Sequence, residues 1–221
     1  MTLDETMERL NRLADQASAA GMARFGINAD RALGIRMPVI RALARETGRD
    51  QDLALGLWGT GVHEARLLAI LVAEPRLLTT DLMDRWIADF NSWDVCDQAC
   101  LNLFIRSPEA YEKAAEWTSR SGEYEKRAGF AMMAALAVHD KKAADDKFIR
   151  FLTLILTHAA DDRNFVKKAV NWALRQIGKR NAVLRELAIQ TALQIRALDS
   201  RAARWIAADA LRELQKPGRG S

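Results

Sequence analysis

Two short stretches of this sequence place reactive side chains on shared helical faces. In the first, Asn91 to Gln98 (NSWDVCDQ), Trp93 and Asp97 stand four residues apart, so an indole and a carboxylate meet on one side of a helix. Such a carboxylate can stabilise developing positive charge, and an indole face can attract it. A plain packed Trp/Asp pair is the alternative. Ser92 has the chemistry of an N-cap, and Asp94 falls in the first turn, where the helix dipole favours a carboxylate for purely structural reasons. In the second stretch, Lys168, Trp172, Arg175 and Lys179 follow at intervals of four, three and four on one stripe. Lys167 and Arg180 add charge beside it. The apolar residues Val166, Ala169, Val170, Ala173, Leu174 and Ile177 occupy a different sector, which sets Trp172 among cations and outside the core stripe. That pattern suits a track for phosphates with an aromatic surface for a sugar or base. A solvated basic face with Trp172 tucked under a neighbour is the other reading. Lys126 and Arg127 open a third segment, Glu123 to Met133.

The elements that must carry these residues are helical. Ala, Leu, Arg, Glu and Lys dominate, prolines number 4, and no run of alternating β-branched residues marks a strand. The apolar spacing and the Pro and Gly breaks predict helices over 3–20, 37–47, 50–58, 62–73, 79–89, 92–105, 108–119, 122–138, 144–159, 162–178, 181–196 and 199–215. From residue 50 these form pairs whose second helices begin near 62, 92, 122, 162 and 199, a period of roughly 30–40 residues typical of HEAT-type repeats. The expectation is an all-α, HEAT-like helical-repeat solenoid, an α-α superhelix with a basic concave face lined by the second helix of each pair. Trp93 with Asp97, then Arg127, then Trp172 would follow one another along that face. A single domain over 1–215 and a flexible tail over 216–221 complete the expected organisation.

Bulk composition agrees with a globular protein: 221 residues, 49% apolar and 28% charged. A net charge of +4 and a pI of about 9.3 permit a polyanionic partner without requiring one. Cys96 and Cys100 share one helix face and read as reduced, buried thiols. The first residues lack the basic and apolar regions of a signal peptide, and no run approaches the ~18 apolar residues of a membrane span. A cytoplasmic monomer is expected. His63, His139 and His158 form no pair at metal-ligand spacing, and no phosphate-binding or dinucleotide glycine motif is present, so neither metal nor cofactor is expected. Glu64 and Arg66 read as exposed charges.

With those residues in place, the sequence resembles the AlkD-like DNA alkylation repair family of HEAT-like-repeat glycosylases, most closely from about residue 50 to 180. The resemblance is carried by Trp93–Asp97 (WDVCD), Lys126–Ala128 (KRA) and Phe165–Arg175 (FVKKAVNWALR), in that order. It implies that Trp93 and Trp172 flank the sugar of a damaged nucleotide, that Asp97 is the catalytic carboxylate, and that Arg127 grips the backbone. Lys168 and Arg175 match DNA-contacting positions, with Lys126, Lys167 and Lys179 adding charge. Met22–Phe25 (MARF) is similar to a family segment with tyrosine where this chain has Phe25, which keeps an aromatic wedge and drops the hydroxyl. The implied partner is double-stranded DNA containing alkylated purines. The implied activity is monofunctional hydrolysis of the N-glycosidic bond of 3-methyladenine- or 7-methylguanine-type bases, without flipping the base into a pocket. A non-catalytic repeat protein that binds distorted or branched DNA is the alternative.

Overall fold

The computed structural model describes residues 1–216, so most of the tail expected at 216–221 lies outside the described residues. The fold is all-α, with no strand among those residues, and the contacts divide the chain into two compact units, Met1–Ser107 and Pro108–Ser221. The first unit holds α1 (Leu3–Arg12), α2 (Gln16–Met22), α3 (Met37–Thr47), α4 (Gln51–Gly59), α5 (His63–Val72), α6 (Thr80–Ala88) and α7 (Trp93–Asn102). The second holds α8 (Ala110–Trp117), α9 (Glu123–His139), α10 (Asp145–His158), α11 (Asn164–Gly178), α12 (Ala182–Arg196) and α13 (Arg201–Leu214). Each predicted helix from residue 37 onward is present, with ends shifted by a few residues.

The single helix expected over 3–20 is two. Asp15 ends the run because its carboxylate accepts from the Ser18 N–H at 3.1 Å and its own N–H donates to the Leu33 carbonyl at 2.7 Å. A capping side chain thus outcompetes continued helix at that point.

Within each unit, alternate helices stack in the manner of HEAT-like repeats. In the first, α3 packs on α5 and α5 on α7, with α4 against α5. Its core is aromatic: the Trp58 and Trp86 rings are parallel at 4.0 Å, and Phe90 and Phe104 close around them. These two indoles serve packing, with the Trp58 Nε1 donating to Asp89 at 2.9 Å. In the second unit, α9 packs on α11 and α11 on α13, while α10 packs on α12. From Arg127 to Ala137 every residue of α9 is buried, the signature of a helix enclosed on all sides. Gly129 allows that enclosure, because a Cβ there would lie 2.8 Å from the Thr118 nitrogen and 2.9 Å from the Ala114 oxygen of α8.

Candidate nucleic-acid interface

At the start of α7, Val95, Cys96, Ala99 and Cys100 turn into the core, which leaves Trp93, Asp94, Asp97 and Gln98 half-buried on the opposite side. Trp93 and Asp97 therefore share a face, one turn apart, as their spacing required. The Trp93 Nε1 donates to the Phe25 carbonyl at 3.0 Å. That bond joins α7 to the short 3-10 turn Ala23–Phe25, which Gly26 ends in the left-handed region with φ of 71°. Phe25 is 72% exposed, so its backbone is tied to Trp93 while its side chain is presented to solvent.

Asp94 has a different task. Its Oδ2 meets the Nε2 of buried His63 at 2.9 Å, while its Oδ1 accepts from the Ser92 hydroxyl and from the Val95 N–H at 3.0 Å. Burial alone would raise its pKa, but the His63, Ser92 and Val95 hydrogen bonds together outweigh that and hold the carboxyl below its ordinary value. Ser92 occupies the N-cap position as expected, yet its hydroxyl goes to Asp94 and not to the helix backbone. The expectation for Glu64 needs correction too. It is 0% exposed, and its carboxylate accepts from the N–H groups of Leu33, Gly34 and Ile35 at 2.7, 2.7 and 3.2 Å. Arg66 is mostly covered, donating to the Asp89 carbonyl at 2.8 Å and lying over the Trp58 ring.

In the second unit, the first turns of α9 hold the start of α11. Glu123 accepts from the Phe165 N–H at 3.1 Å, and the Arg127 Nη1 donates to the Phe165 carbonyl at 2.7 Å. Arg127 is only 6% exposed. Its observed work is to fix the helix that carries Lys168 and Trp172. Lys126 is also mostly covered and pairs with Asp161 at 3.0 Å. On α11 all six apolar residues of the predicted core stripe are buried, and Trp172 is half-buried outside it. Lys168 is exposed, with its ammonium 5.9 Å from the Phe165 ring centre. Lys167 lies 5.7 Å from the ring of Trp205, an exposed indole on α13 that the sequence reading passed over.

The rest of the basic stripe is internally compensated. Arg175 pairs with Glu213 at 2.5 Å and with Asp209 at 3.4 Å, and Lys179 pairs with Glu213. Asn171, buried between Lys168 and Trp172 in sequence, donates to Asp209 at 2.7 Å. Lys168→Ala should therefore lower the slope of log K against log salt for DNA binding by about 0.9, the value of one phosphate contact. Arg175→Ala should change it by much less, because α13 already supplies its counter-charge. Equal slope changes in a salt titration would contradict this ranking.

Asp161 gives a pH prediction. Hydrogen bonds from Arg163 come first, burial opposes, and Lys126 adds to the lowering, so its carboxyl sits at about 2 against an ordinary 3.8. A depressed carboxyl contributes stability that is complete above the unfolded value and lost as pH falls through the folded one. Asp161→Asn should remove a part of the acid destabilisation that runs between about pH 4 and 2, seen as a flatter melting temperature over that window.

Fold and geometry together define an all-α, HEAT-like repeat protein with aromatic and cationic side chains on its stacked helices. The sequence profile of the DNA alkylation repair enzyme family matches residues 6–214, and the chain belongs to that family. No curated protein matches the sequence. Among solved structures, one superposes with a TM-score of 0.79 at 20% identity, covering 97% of this chain and 96% of its own. That protein is described as one of a new family related to the HEAT-like repeat DNA glycosylases, with affinity for branched DNA structures. At this identity the likeness concerns the fold. Among the described residues no helix is long and apolar enough to cross a membrane.

Proposed function

We propose that this protein is a monofunctional DNA glycosylase that hydrolyses the N-glycosidic bond of cationic N3- or N7-alkylated purines in duplex DNA. Family membership supports the reaction class, and the single observation that carries the assignment is the Trp93–Asp97 face of α7, whose indole is tied to the Phe25 backbone carbonyl. Alkylation makes the base cationic, so it departs neutral and needs little acid assistance. Positive charge develops instead on the deoxyribose. In this reading Asp97 stabilises that oxocarbenium-like charge and orients the attacking water. Trp93 adds a cation–π attraction of about 0.5–2 kcal/mol, depending on desolvation. From the second unit, Trp172 contributes an indole face to the damaged strand, and Lys168, Lys167, Lys126, Arg175 and Lys179 contribute positive potential toward the phosphates. Arg127 acts first by anchoring α11, and through its small exposed edge on the DNA backbone. Catalysis proceeds without flipping the base into a pocket, and the protein works as a cytoplasmic monomer, where Cys96 and Cys100 stay reduced.

The test is release of free base from duplex DNA carrying 7-methylguanine, measured with the full chain in excess. Steady release supports the proposal, and absence of release with DNA binding intact overturns it. The second reading, a non-catalytic protein that binds branched DNA, is favoured by the affinity ascribed to the structural relative. It predicts tighter binding to a four-way junction than to a duplex, with no base released from either.

A further inference from the structure

Apart from His63, every basic residue of the first unit is an arginine, since Lys113 is the first lysine in the chain. Acids outnumber arginines in this unit, so any positive potential there must be local. Many of its arginines are committed: Arg9 to Glu46, Arg31 to the Thr60 carbonyl, Arg66 to Asp89 and Arg106 to the Asn102 carbonyl. Arg41 and Arg45 are not, and neither are Arg12, Arg24, Arg36, Arg76 and Arg85; what sets Arg41 and Arg45 apart is that they share one face of one helix. They lie one turn apart on α3, both exposed, and neither pairs with an acid among the described residues. The one acid of α3, Glu46, is occupied by Arg9.

Arg41 and Arg45 line an open groove of about 550 Å³ together with Arg49, Leu71 and Asn102, and no carboxylate lines it. Arg49 is held rigidly, its Nη1 donating to the Leu71 and Ala73 carbonyls at 2.9 and 2.6 Å. Asn102 is the last residue of α7, five positions beyond Asp97, which is about 7.5 Å along the helix axis and about 140° around it.

We propose that this groove seats backbone phosphates of the DNA that meets α7 at Asp97, with Arg41 and Arg45 as the gripping forks and Arg49 as a fixed third charge. The assignment rests on the proposed DNA-directed function. Guanidinium forks match phosphate oxygens in two-pronged hydrogen bonds, a geometry that lysine does not offer. On α11, a phosphate must compete with Asp209 and Glu213 for Arg175 and Lys179. At Arg41 and Arg45 no such pair has to be broken, so these two carry a larger share of the counterion release on binding.

The experiment compares the full chain with Arg41→Ala/Arg45→Ala on an unmodified duplex, by fluorescence anisotropy between 50 and 200 mM salt. Loss of two phosphate contacts should lower the salt slope by about 1.8 and weaken binding at 50 mM salt roughly tenfold or more. Arg41→Lys/Arg45→Lys, which keeps the charge, should restore most of the slope. Arg76→Ala/Arg85→Ala removes the same formal charge from exposed arginines outside the groove and should leave the slope nearly unchanged. An unaltered slope in the groove variant, or the same change in both double-alanine variants, overturns the proposal. Base release from 7-methylguanine DNA is recorded in parallel. Wild-type release with an unaltered slope overturns the groove alone, whereas a groove-dependent slope without any wild-type release sustains the groove and removes the glycosylase reading.

Discussion

Asp97→Asn is expected to lower the single-turnover release of 7-methylguanine about 10²–10³-fold while leaving DNA affinity unchanged or slightly tighter. The expectation follows from charge. A carboxylate about 4 Å from a unit positive charge, at the effective dielectric of a partly buried site, is worth about 4 kcal/mol. Removing one such stabiliser from a transition state typically costs 10²–10³ in rate. The neutral ground state of the deoxyribose gains little from that carboxylate, so binding should not suffer. Asparagine has the same shape, and Val95, Cys96, Ala99 and Cys100 would still seat α7 in the core. Removing a negative charge also lessens repulsion of the phosphates. Wild-type release with an unimpaired variant would show that Asp97 is not the catalytic group. Equal, slow release from both would point to passive loss of an already weakened base.

The second large effect concerns the fold, at a residue with no chemical part in the proposed reaction. Glu64→Ala should destabilise the protein by about 3 kcal/mol, because it leaves the buried N–H groups of Gly34 and Ile35 and the half-buried N–H of Leu33 without an acceptor, and each buried orphan costs about 1–3 kcal/mol. A loss of that size is a large fraction of a typical domain stability of about 5–15 kcal/mol, and it corresponds to a fall in melting temperature of about 6–12 °C. The loop cannot easily adapt. Gly34 has a φ of 78°, and a Cβ there would stand 2.1 Å from the Asp15 carbonyl oxygen. Its neighbour Leu33 accepts from the Asp15 N–H, and Arg31 accepts from the His63 N–H at 3.0 Å. Glu64 thus ties α2, the 28–36 loop and α5 together, next in sequence to the turn that carries Phe25. Glu64→Gln, which retains one carbonyl oxygen but points an amide at the remaining donors, should fall between alanine and wild type. A thermal melt of Glu64→Ala that matched wild type would show that the loop finds other acceptors.

The contrast between Asp97 and Glu64 marks where local sequence is informative. Helical periodicity is a property of neighbouring residues, so the apolar stripe from Val166 to Ile177 and the shared face of Trp93 and Asp97 were readable directly, and the helix starts at 63, 93, 123, 164 and 201 fall within two residues of those expected. Asp15 shows the limit of that reading at short range. Its side chain could continue or cap a helix, and the deciding bond, to Leu33, comes from a segment 18 positions away.

The sequence by itself determined the all-helical architecture, the repeat spacing and the pairing of an indole with a carboxylate on α7. The tertiary structure decided which charges are available. His63 meets Asp94 at a separation of 31 residues, and Asn171 meets Asp209 and Arg175 meets Glu213 at a separation of 38, distances close to one repeat. Stacking brings equivalent positions of successive helices together, so the partner of a polar side chain lies one repeat along the chain. For that reason Glu64 could look like an exposed charge and the α11 stripe like open positive surface, whereas the uncompensated arginines of α3 became visible only when the neighbours of each helix were in place.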